Sequence, residues 1–273
     1  MEPDAGVRRL GDCRAGRCVC CDAEEEVNRE VVYTCSESRL IFGYVYSQKY
    51  MMEMKQILND WQGLFPTLSP YIASTLYMKA DFVLIGLRLE KVMSDAYRVV
   101  LECLPLWEQE KSRMKVPVFS WELYDKKGMQ FFIKTSLHEY LFPTAAECAK
   151  EQFGMLLKDN ILSGDLCECI RKASLAFATQ HNPTNWHRIF AFKLALASYL
   201  NDARFLAEVK QEIEKEIRHW DSDRFSALFL KSKEEWKADL YRQFENREVL
   251  LERIHANMDD KKIARLKSSH ITL

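Results

Sequence analysis

The sequence predicts an all-α fold, and three observations lead to that prediction. From Ser38 onwards, apolar residues recur at intervals of three and four along most of the chain, which is the period of an amphipathic helix. Glycine and proline are scarce, at 9 and 7 residues, which disfavours turn-rich all-β folds. No stretch alternates apolar and polar residues between hairpin turns. We therefore expect an antiparallel helical bundle with additional N-terminal helices and a long C-terminal amphipathic helix.

Composition limits the class of protein. The 273 residues are 48% hydrophobic, enough for the core of one large or two small domains, and the formal charge of −1 gives no support for nucleic-acid binding. The best apolar window, 82–89, is much shorter than the roughly 18 residues of a membrane span. The N-terminal residues lack the apolar segment of a secretory signal. We therefore expect a cytoplasmic protein with no transmembrane segment.

The chain divides into four segments in this interpretation. Residues 1–36 hold five of the nine cysteines and show no periodicity, which predicts a flexible Cys-rich tail. A helical region follows over 37–115. A helical domain is predicted over 116–242, because a charged run containing Pro117 marks a boundary. A C-terminal amphipathic helix is predicted over 243–273.

Within the helical region, apolar spacing predicts successive helices over 46–61, 68–79 and 82–103. Pro105 lies just beyond the last of these helices, where proline is common.

The helical domain is predicted to start with a short element at 121–124. The helices that follow are predicted over 129–142, 144–158, 164–180, 186–200, 202–220 and 225–230, and a last long helix carries an apolar stripe from Trp236 to Met258. Phe132, Phe229 and Trp236 lie on apolar stripes of their helices, so they are predicted to be core residues.

The N-terminal cysteines include one Cys-x-x-Cys pair, Cys18 and Cys21. Cys13 and Cys35 could complete the four ligands of a zinc site, but no second pair of this spacing follows. The pattern favours a tail with reactive or lipid-modifiable thiols over a metal site.

No motif of a known catalytic or cofactor-binding site is present. The chain lacks the glycine motifs that bind nucleotide phosphates, the paired-histidine zinc motif and the nucleophile elbow of hydrolases. His138 and Glu139 are adjacent and do not share a helix face, so they do not form a predicted dyad. We therefore predict no catalytic residue, no metal and no cofactor, and an enzyme is the least favoured hypothesis.

Two stretches of residues 119–240 carry a recognisable pattern. The first follows the spacing aromatic–Leu–spacer–Gly–x–x–x–Phe and then an acidic–aromatic pair, at Trp121, Leu123, Gly128, Phe132, Glu139 and Tyr140. The second comprises spaced isoleucines, an Asp-Ser turn and a Phe-Leu-Lys-Ser run, at Ile213, Ile217, Asp221, Ser222, Asp223, Phe225, 229–232, Trp236 and Leu240. Together they resemble the two ends of the RGS box, the helical domain of regulators of G-protein signalling.

The resemblance implies binding to the switch regions of an activated Gα subunit. RGS boxes accelerate GTP hydrolysis by holding these switches in the transition-state arrangement, without a catalytic base of their own. Matching positions give the implied Gα contacts, which are Glu139, Tyr140, Thr144, Asn182 or Asn185, and Asp221 or Asp223. The Glu-Asn-apolar-x-Phe-Trp motif of the family is absent and Thr144 replaces its Asn, so we expect weak or lost acceleration.

A second hypothesis has no link to G proteins. Here the chain is a helical scaffold or adaptor for protein–protein interaction, and its C-terminal amphipathic helix contacts the partner.

Overall fold

A computed structural model describes residues 54–175 and 182–272, and these residues form a large sheet as well as helices. Helix accounts for 54% and strand for 22%, so the all-α prediction is wrong. The strands are β1 Ser69–Ile72, β2 Thr75–Ala80, β3 Val83–Lys91, β4 Ala96–Pro105, β5 Phe119–Glu122, β6 Phe132–Lys134, β7 Asn160–Leu162 and β8 Ser268–Thr272. The helices are α1 (54–64), α2 His138–Phe153, α3 Ser163–Leu175, α4 Pro183–Leu200, α5 Ala203–Ile217, α6 Ser222–Phe229, α7 Lys233–Glu245, α8 Arg247–Met258 and α9 Lys261–Ala264.

The strands form one eight-stranded mixed sheet with the path β5-β4-β3-β2-β8-β7. Strand β1 pairs with β2, and β6 pairs with β4 beside β5. The strands from β1 to β6 pair antiparallel, whereas β8 runs parallel to both β2 and β7. The sheet therefore joins the start and the end of the described chain.

The predicted helix over 82–103 is a hairpin of β3 and β4. The continuous apolar run at the start of β3 obscures the period of two, which emerges only where Arg88 and Glu90 alternate with Leu87 and Leu89. In the hairpin, Leu87 lies opposite Leu101, while the charged residues of β3 face the other side of the sheet. The predicted helix over 68–79 is likewise β1 and β2, whereas the described part of the predicted helix over 46–61 is helical.

The two faces of the sheet differ in polarity. Side chains in register share a face, so one row comprises Leu76, Leu87, Leu101 and Trp121. The helices cover this apolar face: Phe192 of α4, for example, packs on the rings of Phe82 and Phe119. The opposite face carries the charged residues and is open enough to hold them partly hydrated.

The segment 119–142 also differs from the prediction. It forms β5 and β6 before α2 begins at His138, so the sheet crosses the boundary predicted between 115 and 116. Phe132 pairs with Arg98 on the charged face and is 44% exposed, so its prediction as a core residue is wrong. Trp236 is 4% exposed, which confirms its core position, and Phe229 is partly buried against the core.

The helices of the second half largely follow the predicted periodicity, but the last one does not. The predicted long C-terminal helix is broken at Asn246, which ends α7 and caps α8 through a hydrogen bond from Val249 N to its side chain. The chain then forms α9 and returns to the sheet as β8. Residues 243–273 are therefore not one amphipathic helix.

The described residues all belong to one compact unit, Ser47–Leu273. The predicted tail over 1–36 lies outside the described residues. In the part of the chain that is described, no helix combines the length and the apolar character needed to cross a membrane.

Candidate functional site

The residues predicted from the RGS resemblance lie on different elements. Glu139, Tyr140 and Thr144 are in the first two turns of α2, and all three side chains are exposed. Asn182 and Asp221 are the N-caps of α4 and α6. Within the described residues, no hydrogen bond or ion pair links the α2 group to these caps.

The caps have a local structural role. The side chain of Asn182 accepts a hydrogen bond from Thr184 N at 3.0 Å, and that of Asp221 accepts one from Arg224 N at 2.7 Å. Asp223 lies exposed in the first turn of α6, and Asn185 lies in the first turn of α4, where its N–H donates to Asn182 O. Asn182 and Asp221 therefore cap helix ends, which is the role that their residue types have at such positions.

A groove of about 610 Å³ runs along the edge strand β5. Charged residues of β3, β4 and β5 line it on one side, and the end of α2, the loop that follows it and Lys172 of α3 line it on the other. We call this feature the β5 groove. It combines charged and apolar walls.

Tyr77, Gly86, Glu102 and Ser120 form one row across four strands on the charged face. The Tyr77 hydroxyl donates to Glu102 Oε2 at 2.6 Å, so the ring crosses the strand that lies between them. Gly86 allows this crossing, because a Cβ there would lie 1.9 Å from Leu76 O and 2.6 Å from the Tyr77 ring. Burial and the Glu102 carboxylate raise the pKa of Tyr77 far above its ordinary value, so the hydroxyl stays a donor.

The charges on this face form a chain of ion pairs. Arg88 Nε lies 2.7 Å from Glu102 Oε1, and the same guanidinium lies 3.2 Å from Glu90. Arg98 links Glu90 at 2.8 Å to Glu122 at 2.5 Å. The Arg98 hydrogen bond is the main cause that lowers the pKa of Glu90. Three carboxylates against two guanidiniums give this chain of ion pairs a net charge of −1. Because each carboxylate is paired, the arrangement suits charge recognition better than proton transfer.

The outer edge of β5 presents backbone groups to the groove. Leu123 N donates to Val99 O of β4 at 2.9 Å, so the residues on either side of Leu123 direct their N–H and C=O groups away from β4. At Tyr124, the Gln152 side chain of α2 pairs with both groups, accepting from N at 3.1 Å and donating to O at 2.7 Å. By the same alternation, the backbone groups of Glu122 and Ser120 face outwards.

Apolar side chains line the other wall of the groove. Trp121 is half-buried, Phe153 at the end of α2 is 1% exposed, and Met155 is partly buried in the loop after α2. An extended segment beside β5 would therefore meet charges on one side and apolar surface on the other.

A second polar cluster lies between α1, α2 and β4. His138 Nδ1 is 2.8 Å from the Tyr97 hydroxyl, and His138 Nε2 is 3.0 Å from Asp60 Oδ2. Trp61 Nε1 donates to the Tyr97 oxygen at 3.2 Å. All these bonds form together when Tyr97 donates to Nδ1 and a neutral imidazole donates from Nε2 to Asp60. Tyr97 is 1% exposed, whereas Asp60 and His138 also line a cavity of about 460 Å³.

The sequence patterns did not identify either cluster. Asp60 and His138 are 78 residues apart, and no local spacing links them. The alternation of charged with apolar residues from Leu87 to Glu90 was the only signal for the charged face, and it was too short to outweigh the helical period. Among the residues that are described, no group of three His, Cys, Asp or Glu side chains could hold a metal ion.

Comparisons with known proteins do not identify a family or a function for this chain. No protein family, no curated protein and no solved structure matches the chain.

Proposed function

We propose that this protein is an adaptor that binds an extended peptide segment of a partner by strand addition at the β5 groove. The observation that carries the proposal is the edge geometry: Ser120 and Glu122 present outward backbone groups inside the groove. Strand addition uses such groups for affinity and the flanking pockets for side-chain selection. The adaptor hypothesis is retained, but the binding element is a sheet edge instead of a C-terminal helix.

The Gln152 contact supports the same proposal. Its amide occupies the place that the next strand would take at Tyr124, with one donor and one acceptor bond. This contact ends the accessible edge on one side, so the added segment pairs with Ser120 and Glu122.

The two walls define the chemistry of the partner. Successive side chains of an added strand point to opposite faces, so one set meets Trp121, Phe153 and Met155 and the other set meets the charged face. The charged side chains of the lining balance, because Arg88, Arg98 and Lys172 offset Glu90, Glu122 and Glu151, so that side favours a segment with charges of both signs. The partner segment is therefore an extended strand that alternates apolar and charged residues.

The test is selection of a peptide from a displayed library of seven-residue sequences with this alternation, followed by fluorescence anisotropy. Ser120→Pro removes the outward N–H and places a ring at the edge, without removing a bond to β4. We expect it to weaken peptide binding at least about fivefold, since a lost hydrogen bond costs about 0.5–1.5 kcal/mol and the ring adds a steric penalty.

Ser120→Ala is the matched control, because it changes the same side chain and retains the backbone donor. It should bind the peptide within about twofold of the parent protein. A peptide N-methylated at its central residue should also lose affinity. If the selected peptides bind Ser120→Pro as well as the parent, or if no peptide is selected, strand addition at β5 is wrong. Unfolding curves for each variant separate loss of binding from loss of folding.

Binding to Gα stays a prediction, and the geometry gives it little support. The residues expected to form one contact surface lie on α2, α4 and α6, and the first part of the RGS-like pattern, 121–132, lies in and between β5 and β6. The direct test is a pull-down with Gα loaded with GDP and aluminium fluoride. Capture that Asp221→Ala abolishes and Asp223→Ala preserves, with both variants folded, would favour the G-protein hypothesis over strand addition.

A further inference from the structure

A second cavity, of about 450 Å³, lies between the segment after β4 and helices α4 and α7, away from β5. Aromatic side chains form much of its wall: Trp107 and Trp236 are 2% and 4% exposed, and Phe229 and His187 lie beside Trp236. We call this feature the α4–α7 cavity. Ligand pockets commonly have volumes of about 300–1,000 Å³ and mostly apolar walls with a few polar groups.

His187 is a neutral hydrogen-bond donor in this wall. Its Nδ1 accepts from Trp236 Nε1 at 3.2 Å, so the proton of the neutral ring is on Nε2. Burial is the main cause that lowers the pKa of His187 to about 4, and the positive charges of Arg113 and Arg188 lower it further. Both arginines line the cavity together with His187.

The cations of the wall differ in how far they are neutralised. Arg113 pairs with Glu110 at 3.4 Å, and Lys231 pairs with Asp239 at 2.5 Å. None of the ion pairs among the described residues involves Arg188. Arg188 is partly buried at the wall, and its positive charge is therefore the one that a bound anion would neutralise.

The acidic residues of the wall do not cancel this charge. Asp239 is already held by Lys231 and by Arg242, whose Nη1 lies 2.9 Å from Asp239 Oδ1. The lining as a whole has three cations, Arg113, Arg188 and Lys231, against two carboxylates, Glu108 and Asp239, so its formal charge is +1. An anion entering the cavity would therefore be attracted.

We infer that the α4–α7 cavity binds a small aromatic carboxylate. The carboxylate pairs with Arg188, whose planar guanidinium matches two carboxylate oxygens, and it accepts a hydrogen bond from His187 Nε2. The flat ring packs between the aromatic side chains of the wall, among them Trp236 and Phe229. This site is separate from the β5 groove and does not depend on the proposed strand addition.

The test uses 2-naphthoate and its neutral isostere 2-naphthamide as probes, with isothermal titration calorimetry on the full chain. We expect the parent protein to bind 2-naphthoate at least tenfold more tightly than 2-naphthamide. Arg188→Gln should weaken 2-naphthoate binding at least tenfold and leave 2-naphthamide binding within about twofold. Arg265→Gln is the matched control, since Arg265 is exposed and lies outside the cavity.

A second variant keeps the test decisive if Arg188→Gln fails to fold. Arg113 is 62% exposed at its side chain, so Arg113→Gln should fold, and it should weaken 2-naphthoate binding about two- to fivefold through the loss of a positive charge. Equal binding of the two probes, no heat of binding for 2-naphthoate at millimolar concentration, or unchanged 2-naphthoate binding in a folded Arg188→Gln variant would each overturn the inference.

Discussion

Gly86 shows how one small residue makes the charged face of the sheet possible. The Tyr77 ring lies across β3 at this position and reaches Glu102 on β4. Any side chain at 86 would clash with the Leu76 carbonyl and the Tyr77 ring. The clash cannot be relieved easily, because moving either group would disturb the pairing of the strands. Glycine is therefore needed at 86 because the Tyr77 ring and the Leu76 carbonyl approach its Cα closely. Its backbone is in a regular strand, so conformational freedom is not the reason.

We predict that Gly86→Ala destabilises the protein by about 1–3 kcal/mol or more, through overpacking and loss of the Tyr77–Glu102 hydrogen bond. Gly63→Ala is the matched control. Gly63 lies in α1, and a Cβ added there would have no neighbouring atom within 4 Å, so alanine should be neutral or stabilise by up to about 1 kcal/mol. Urea unfolding of both variants measures the difference. Equal midpoints would mean that the sheet accommodates a side chain at 86.

Buried polar residues show why single positions are hard to interpret from the sequence. His138 is next to Glu139 in the chain, but its partners are Asp60 on α1 and Tyr97 on β4. Such pairings depend on which elements meet in space. Trp236, by contrast, lies on a helix whose apolar stripe is visible in the sequence, and its burial follows from local periodicity.

At the scale of elements, helix caps account for the polar residues that the RGS resemblance singled out. Asp221 accepts from Arg224 N, and Ser232 forms a full capping box with Glu235 at the start of α7. These caps satisfy backbone N–H groups that have no partner within the helix. The caps therefore give a structural role to Asp221 and Ser232 within these two motifs.

Asp221→Ala should accordingly cost about 0.5–2 kcal/mol of stability, the usual effect of losing an N-cap. Asp223→Ala should cost less, because Asp223 is exposed within the first turn and contributes only a favourable charge near the helix N-terminus. Thermal and urea unfolding of the two variants gives the comparison. If Asp223→Ala is the more damaging change, the assignment of Asp221 as the cap is wrong.

At the scale of the whole molecule, His187 of α4 lies where this helix meets α7 and the connection from β4 to β5. The pKa of His187 is about 4 in the folded protein against about 6.5 for an ordinary histidine. Between these values the unfolded chain binds the proton and the folded protein does not, so stability rises with pH. The contribution is complete above pH 6.5 and is lost as the pH falls towards 4.

We predict that protonation of His187 lowers the free energy of unfolding by up to about 3 kcal/mol between pH 7 and pH 4. This figure follows from the pKa difference at about 1.36 kcal/mol per unit. His187→Gln keeps a polar group beside Trp236 but does not titrate, so its stability should fall less over the same range. Free energies of unfolding from urea titrations at pH 7, 5.5 and 4.5 give both curves. Parallel curves for the parent and the variant would show that His187 does not titrate between the two states as proposed.

Local patterns in the sequence predict two helices of the second half of the described chain well. Helices α4 and α5 lie close to their predicted bounds, because a cap and a 3.6-residue period are properties of neighbouring residues. The prediction that the chain lacks a long apolar helix agrees with the described residues for the same reason, since the length of an apolar run is local.

The sheet and both candidate sites depend on contacts between segments that are distant in the sequence. A buried strand such as β3 is a continuous apolar run, which periodicity cannot distinguish from a buried helix, and its identity depends on the strands beside it. Strand β8 pairs with β2 across about 190 residues, and Arg113 and His187, from separate parts of the chain, line the same cavity. These contacts exist because burying the apolar face of the sheet brings distant segments together. Short-range sequence patterns cannot predict that packing, since they depend only on neighbouring residues.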